Sequence, residues 1–106
     1  MCSVTAIQAS APPALGDSSR AFLKALASET RQRLLLLFAD GEPHSVGEVA
    51  ARAEIGQSTA SEQLAILRRA GLLSASRQGK TVLYRADRDG IAAQLDELRA
   101  FLAICC

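Results

Sequence analysis

Apolar residues recur at helical spacing in residues 57–73, which predicts one amphipathic helix. Its buried stripe consists of Ala60, Leu64 and Leu67, and Ala70 extends the stripe before Gly71 stops the helix. Polar side chains near the amino end lie off the stripe and can reach base edges or phosphates: Gln57, Ser58, Thr59, Ser61, Glu62 and Gln63. We therefore predict a helix that enters a groove of DNA, although the stretch alone also fits an ordinary surface helix with a serine-rich start.

Two further helices are predicted ahead of this segment, each opened by a polar cap. Ser18 or Ser19 can cap the first, and Ser28 or Thr30 can cap the second. The second contains four consecutive leucines followed by Phe38, so it is apolar on nearly every side. So wide an apolar surface predicts a central helix that is packed from several directions.

A short third helix and a tight turn complete a helix-turn-helix. Ser45 can cap a helix over residues 45–53, whose inward residues are Val46, Val49, Ala50 and Ala53. Residues 55–57 form the connection to the groove-entering helix, and Gly56 can take a positive φ there. Two short helices that share an apolar interior across such a turn are typical of a helix-turn-helix.

A β-hairpin is predicted directly after Gly71. Apolar and polar residues alternate from Leu73, Gln78 and Gly79 supply a turn, and residues 81–86 are β-branched and aromatic enough for a returning strand. The tip carries Arg77 and Lys80, which we predict to contact a phosphate backbone or a minor groove. Charged hairpin tips also occur merely for solubility.

The last predicted helix carries an apolar stripe suited to a partner helix. Its members recur at spacings of four and three residues: Ile91, Leu95, Leu98, Leu102 and Cys105. A chain of 106 residues has little core left to cover once the winged helix is folded, so this stripe predicts a homodimer. Packing of the helix within its own protomer is the alternative. A dimer would present two groove-entering helices to a palindromic site on double-stranded DNA.

Length and charge fit one small DNA-binding domain. With 106 residues and 49% hydrophobic residues, the chain can build a single core. The net charge is only +1, yet residues 52–88 hold seven basic against three acidic residues, so positive charge gathers around the groove-entering helix. Residues 1–18 combine prolines, a glycine and small residues without periodicity, which predicts a flexible N-terminal arm before a domain over residues 19–106.

No apolar run is long enough for a membrane span, and nothing precedes the domain that reads as a secretory signal. The three cysteines, two of them adjacent, make a poor disulfide framework and fit a reducing compartment, so we predict a cytoplasmic protein. One histidine and no acid clustered with a nucleophile leave nothing from which to assemble a catalytic centre. The composition thus argues against an enzyme.

With its parts in this order, the chain after Ser19 resembles the ArsR/SmtB family of bacterial winged-helix repressors. The matching segments are KALASETRQRLLLLF, QSTASEQLAILRRAGLL and RQGKTVLYRA. The resemblance implies a mainly α winged helix-turn-helix with a small β-hairpin and with N- and C-terminal dimerisation helices, which brings Phe22 to the dimer interface. It also implies a repressor that leaves its operator when a metal, metalloid or redox signal reaches a cysteine or histidine site.

The family's familiar sensor positions hold no suitable ligands here. The Cys-x-Cys pair of its arsenic and cadmium sensors matches Ser45, Val46 and Gly47, and the zinc ligands of the last helix match the set Arg88, Gly90, Phe101 and Ile104. His44 follows Pro43 in a loop and reads as a solvated turn residue.

Cysteine ligands remain at the end of the chain. Cys105 and Cys106 are similar to a Cys-Cys pair that ends the last helix of some arsenic repressors, and Cys2 is available as a third ligand from either subunit. We therefore expect no obligatory cofactor, with arsenite, antimonite or methylarsenite as the inducer. Cysteines that serve only as small apolar residues, a thiol-redox or persulfide switch, and a ligand-independent DNA-binding protein remain alternatives.

Overall fold

The computed structural model describes residues 14–106, which form five helices and three strands. In chain order these are α1 (Asp17–Leu26), α2 (Glu29–Leu36), β1 (His44–Ser45), α3 (Val46–Ala53), α4 (Gln57–Arg69), β2 (Leu73–Gln78), β3 (Thr81–Ala86) and α5 (Arg88–Cys105). The predicted fold class, mainly helical with a small β-hairpin, is confirmed. Cys2 and most of the predicted arm lie outside the described residues.

The break between α1 and α2 falls at the predicted polar cap. The hydroxyl of Ser28 accepts a hydrogen bond from the backbone N–H of Arg31 and so caps α2. The predicted cap of α1 is wrong, because the helix begins at Asp17 behind Gly16, within the segment predicted as an arm. An acidic residue in the first turn complements the positive end of the helix dipole and supports this earlier start.

The leucine block, residues 34–37, is packed on several sides but not on all of them, so the prediction of a central helix is correct only in part: Leu35 and Leu37 are half-buried against the core. Leu34 is buried, whereas Leu36 is 71% exposed. Consecutive helical residues project about 100° apart, so four leucines in a row point in four directions and one neighbouring layer cannot cover them all. Leu34 and Phe38, four residues apart, lie on the same side and both enter the core.

The helix-turn-helix has the predicted interior but a different turn. Val49 and Ala50 of α3 are buried, and Ser45 and Glu48 cap the helix reciprocally. The left-handed residue of the turn is Glu54, at φ 55°, and not Gly56, at φ −65°. Gly56 instead has extended backbone, because it is the N-cap of α4.

The wing is a hairpin of β2 and β3, in which Leu73 pairs with Ala86 and Gln78 with Thr81. The two residues between the strands are Gly79, at φ +63°, and Lys80, so the turn lies one residue later than predicted. A third strand, β1, adds to the outer side of β3 through pairing of His44 with Tyr84. The sheet order is therefore β1-β3-β2, and β1 was not predicted.

His44 is buried, with 5% of its surface exposed, so its prediction as a solvated turn residue is wrong. Its ring meets Phe38 edge to face and lies 2.9 Å from Asp40 Oδ2 and 3.4 Å from Glu48 Oε2. The backbone N–H of Glu42 and the His44 ring lower the pKa of Asp40 below its ordinary 3.8. The backbone N–H of Ser45 and the same ring lower the pKa of Glu48 below 4.5.

One apolar core joins α1, α2, α3, α4 and the sheet. Its fully buried large side chains include Phe22, Leu34, Val49, Leu64, Leu67 and Leu73. α5 has no fully buried residue, but Ile91 and Leu98 are half-buried against this core. The hydroxyl of Ser19, fully buried on α1, lies 2.8 Å from Gln94 Oε1 and 2.9 Å from Glu97 Oε2 and thereby holds α5 against α1.

No helix within residues 14–106 combines the length and apolar character that crossing a bilayer requires.

Candidate DNA interface

The amino-terminal face of α4 is exposed as the spacing predicts. Ala60, Leu64 and Leu67 are fully buried beneath the helix. The other face presents short polar side chains with one acid: Gln57, Ser58, Thr59, Ser61 and Glu62 are all exposed. Gly56, the N-cap, and the first residues of the helix are exposed, so the positive amino end is also open to solvent. This arrangement can approach phosphates and base edges without burying an unpaired charge.

Gln63 differs from its neighbours on α4. It is half-buried, and its Oε1 accepts a hydrogen bond of 3.0 Å from Arg31 Nη1. Arg31 also donates from Nε to the carbonyl of Ala25 at 3.0 Å and from Nη2 to the carbonyl of Lys24 at 3.3 Å. One guanidinium therefore ties the end of α1 to α4. The sequence interpretation singled out Gln63 for DNA and gave Arg31 no role, because helical periodicity does not show which side chains of separate helices meet.

The wing is cationic and open to solvent. Arg77, Lys80 and Arg85 are all exposed. The ion pairs within residues 14–106 are Arg20–Asp17, Arg33–Glu29 and those of His44, so none involves the wing. These cations therefore keep their full charge for a phosphate backbone.

Part of the apolar stripe of α5 packs within the protomer, and part of it is exposed. Ile91 and Leu98 are half-buried and pack against the protomer's own core. Leu95 is 48% exposed and Leu102 is 56% exposed, and Ile104, which the predicted stripe omitted, is 59% exposed. Phe22 is 1% exposed, so its predicted place in a dimer interface is wrong: the core of its own protomer already covers the side chain.

The cysteine pair lies at the end of α5. Cys105 is its last residue, Cys106 follows, and a disulfide joins the two. Within residues 14–106 no group of three cysteine, histidine or acidic side chains is placed to hold a metal ion.

The chain has relatives of known type. The family model for a helix-turn-helix domain matches residues 26–74. The transcriptional activator HlyU of Vibrio cholerae is 40% identical over 76 residues, which are 72% of this chain and 69% of HlyU. The biofilm growth-associated repressor of Agrobacterium fabrum is 41% identical over 78 residues, 74% of this chain and 66% of the repressor. The chain thus spans about two thirds of the length of each.

Solved structures agree with this relationship. The homodimeric winged helix-turn-helix DNA-binding domain of Mb0332 from Mycobacterium bovis, described as a possible ArsR-family regulator, superposes with a TM-score of 0.65. It is 30% identical, with 79% of each chain covered. A possible transcriptional regulator for arsenical resistance also gives a TM-score of 0.65 at 30% identity, covering 76% of this chain and 83% of that one. The chain belongs to the ArsR family of winged-helix transcriptional regulators.

Membership of the ArsR family confirms the predicted family and architecture. The relatives are transcriptional regulators rather than enzymes, in agreement with the absence of a catalytic constellation from the sequence. The ArsR-family fold also accounts for the juxtaposition of α4 and the wing on one molecule.

Proposed function

We propose that this ArsR-family chain is a homodimeric transcriptional repressor that binds a palindromic DNA operator. The observation that carries the proposal is the exposed polar face of α4, which stands on a buried stripe beside an unpaired cationic wing. Residues 57–62 enter the major groove, and Arg77 and Lys80 contact phosphates. Glu62 accepts from the amino group of a cytosine, because a carboxylate facing phosphates alone would be repelled.

A homodimer is supported by the exposed apolar side chains of α5. Leu95, Leu102 and Ile104 project from a helix that has no buried residue. Close to them, Leu15, Ala100 and Phe101 line a shallow groove of about 200 Å³. Covering large apolar side chains with a second copy removes them from water, and a two-fold arrangement repeats α4 along the duplex. The homodimeric Mb0332 domain has the same fold.

The proposal is tested by selecting duplexes from a random library with the purified protein. We expect an inverted repeat whose half-sites lie about one helical turn apart. Thr59→Ala on α4 should then weaken binding to the selected duplex, whereas Thr30→Ala, the same change at an exposed site of α2, should not. Failure to enrich any sequence, or equal effects of the two variants, would contradict the proposal.

For the inducer, we propose a trivalent arsenical or related thiophile at Cys105 and Cys106. Methylarsenite suits two thiols best. Each thiol replaces one hydroxyl group on the arsenic and releases one molecule of water, so two arsenic–sulfur bonds use both hydroxyl groups. Arsenite and antimonite favour three thiolates and so require Cys2 as well. Binding at the end of α5 would alter the dimer contact and with it the spacing of the two α4 helices.

A second candidate signal is oxidation, which the disulfide between Cys105 and Cys106 favours. The two thiols lose two protons and two electrons to an oxidant such as hydrogen peroxide, which becomes two molecules of water. Oxidised protein cannot then bind an arsenical at this pair.

The two signals are separated by following release of the reduced protein from the selected duplex. Methylarsenite should release wild type and Cys2→Ser alike, whereas arsenite should lose potency with Cys2→Ser. Cys105→Ser and Cys106→Ser should abolish both responses. Release by peroxide alone, with no response to either arsenical, would favour the redox signal, and an undiminished arsenical response in both terminal variants would place the inducer site elsewhere.

A further inference from the structure

The hydrogen bond between Arg31 of α2 and Gln63 of α4 affects how α4 can contact DNA. Gln63 belongs to the helix that the proposed function places in the major groove, yet its amide oxygen is already bonded to a guanidinium. An arginine has donors only, so the glutamine oxygen must face it and the amide nitrogen must face away. Reading adenine through a glutamine requires both ends of the amide, with the oxygen accepting from N6 and the nitrogen donating to N7. The oxygen keeps a second lone pair, but the bond from Arg31 holds the half-buried amide of Gln63 toward α2 and fixes its orientation.

Arg31 likewise uses its hydrogen-bond donors within the protein. Its Nε, Nη1 and Nη2 donate respectively to Ala25 O, Gln63 Oε1 and Lys24 O. The two carbonyls belong to the last turn of α1, where helix carbonyls lack partners within the helix. A positive charge also suits this negative end of the helix dipole. Arg31 is half-buried, so its charge is directed to these acceptors and not to a phosphate.

We propose that Arg31 and Gln63 are a positioning pair that sets the orientation of α4 relative to α1 and does not itself read DNA. This inference rests on the proposed function. α1 is in turn bonded to α5 through Ser19, so the pair connects the reading helix through α1 to the proposed dimer helix. Loss of either partner lets α4 tilt on its buried stripe, and every contact along its exposed face weakens together.

A double-mutant cycle on the duplex selected by the wild type tests the pair. We expect Arg31→Ala and Gln63→Ala each to weaken binding by about tenfold, the scale of one lost hydrogen bond to a charged group, and the double variant to lose no more than the worse single one. The preferred sequence and the dependence of affinity on salt should stay those of the wild type, because neither side chain touches a base or a phosphate. Arg33→Ala, the same change two residues along α2 at an exposed side chain, is the matched control and should bind as wild type.

Several results would overturn the inference. A changed base preference at one position in Gln63→Ala would make Gln63 a reading residue. A salt slope smaller by about one in Arg31→Ala would make Arg31 a phosphate contact. Additive losses of affinity, or unchanged binding by both single variants, would show that Arg31 and Gln63 do not act as a pair. If Arg31→Ala fails to fold, Arg31→Lys and Gln63→Met complete the same cycle, since they keep the charge and the apolar stem respectively. A wild type that selects no duplex refutes the proposed function instead, so the two failures are distinguishable.

Discussion

Ser19 and His44 are polar residues that the fold buries for different reasons. The single hydroxyl proton of Ser19 lies within hydrogen-bond reach of Gln94 and Glu97, which are 75 and 78 residues later in the sequence, and so connects α1 to α5. His44 is enclosed by Phe38, Asp40 and Glu48 and begins the strand that pairs with β3. Burial of a polar group is tolerated only with hydrogen-bond partners, and for both residues these partners come from the folded chain.

Gly90 in the first turn of α5 should not tolerate a side chain. A Cβ there would lie 2.8 Å from the carbonyl oxygen of Gly71 and 2.7 Å from Asp87 Oδ2, which belongs to the residue that caps the helix. We expect Gly90→Ala to lower the free energy of unfolding by about 1–3 kcal/mol despite the better helix propensity of alanine.

Urea unfolding at one fixed protein concentration measures this loss. Gly47→Ala on α3 is the matched control, because the nearest atom to a Cβ there is Ser45 Oγ at 3.9 Å. That variant should be unchanged or more stable by up to about 1 kcal/mol. Equal stability of the two variants would disprove the crowding at Gly90.

The carboxylates around His44 should make the protein less stable in acid. Because the folded-state pKa values of Asp40 and Glu48 lie below the ordinary 3.8 and 4.5, the folded protein binds fewer protons than the unfolded chain as the pH falls. Their contribution is therefore present above about pH 5 and is lost as the pH drops through the lowered values. Unfolding measured between about pH 6 and pH 3 should show a shallower decline for Asp40→Asn than for wild type. Asp96→Asn, at an exposed site of α5, should keep the wild-type decline.

At the scale of elements, α2 and α4 show when a run of apolar residues is informative. In α4 the apolar positions are separated by three and four residues and are buried on one side. The four leucines at positions 34–37, at and just past the end of α2, are consecutive, so their pattern carries no direction, and only the packing of neighbouring elements decides that Leu34 is buried and Leu36 exposed. For this reason the sequence predicts which face of α4 is buried, but it does not predict which leucines of the leucine block are buried.

The wing is the element whose charge should act on DNA most directly. Arg77 and Lys80 are exposed and take part in none of the ion pairs of the described residues. The double variant Arg77→Ala, Lys80→Ala should bind the selected duplex more weakly, with a salt slope smaller by about one for each lost phosphate contact. Anisotropy titrations at several salt concentrations give both quantities. Unchanged affinity would remove the wing from the interface.

At the scale of the whole molecule, an exposed apolar edge along α5 predicts association. Leu95→Lys with Leu102→Lys should give a folded monomer with much weaker operator binding, since neither leucine is needed inside the protomer. Light scattering after size exclusion measures the mass. Leu36→Lys changes a leucine that is 71% exposed on α2 and should leave the dimer intact. A wild type that is monomeric at every concentration would contradict the homodimer.

Local spacing and end signals alone determined the helix-turn-helix, the hairpin, the caps at Ser28 and Ser45 and the polar face of α4. Those features depend on residues within a few positions of one another, which the sequence displays directly. The tertiary structure decided the burial of His44 and Ser19, the third strand, the division of the α5 stripe, the enclosure of Phe22 and the engagement of Gln63 by Arg31. Each of these features depends on contacts between segments that are distant in sequence, and the spacing of apolar residues along the chain does not show which segments make contact.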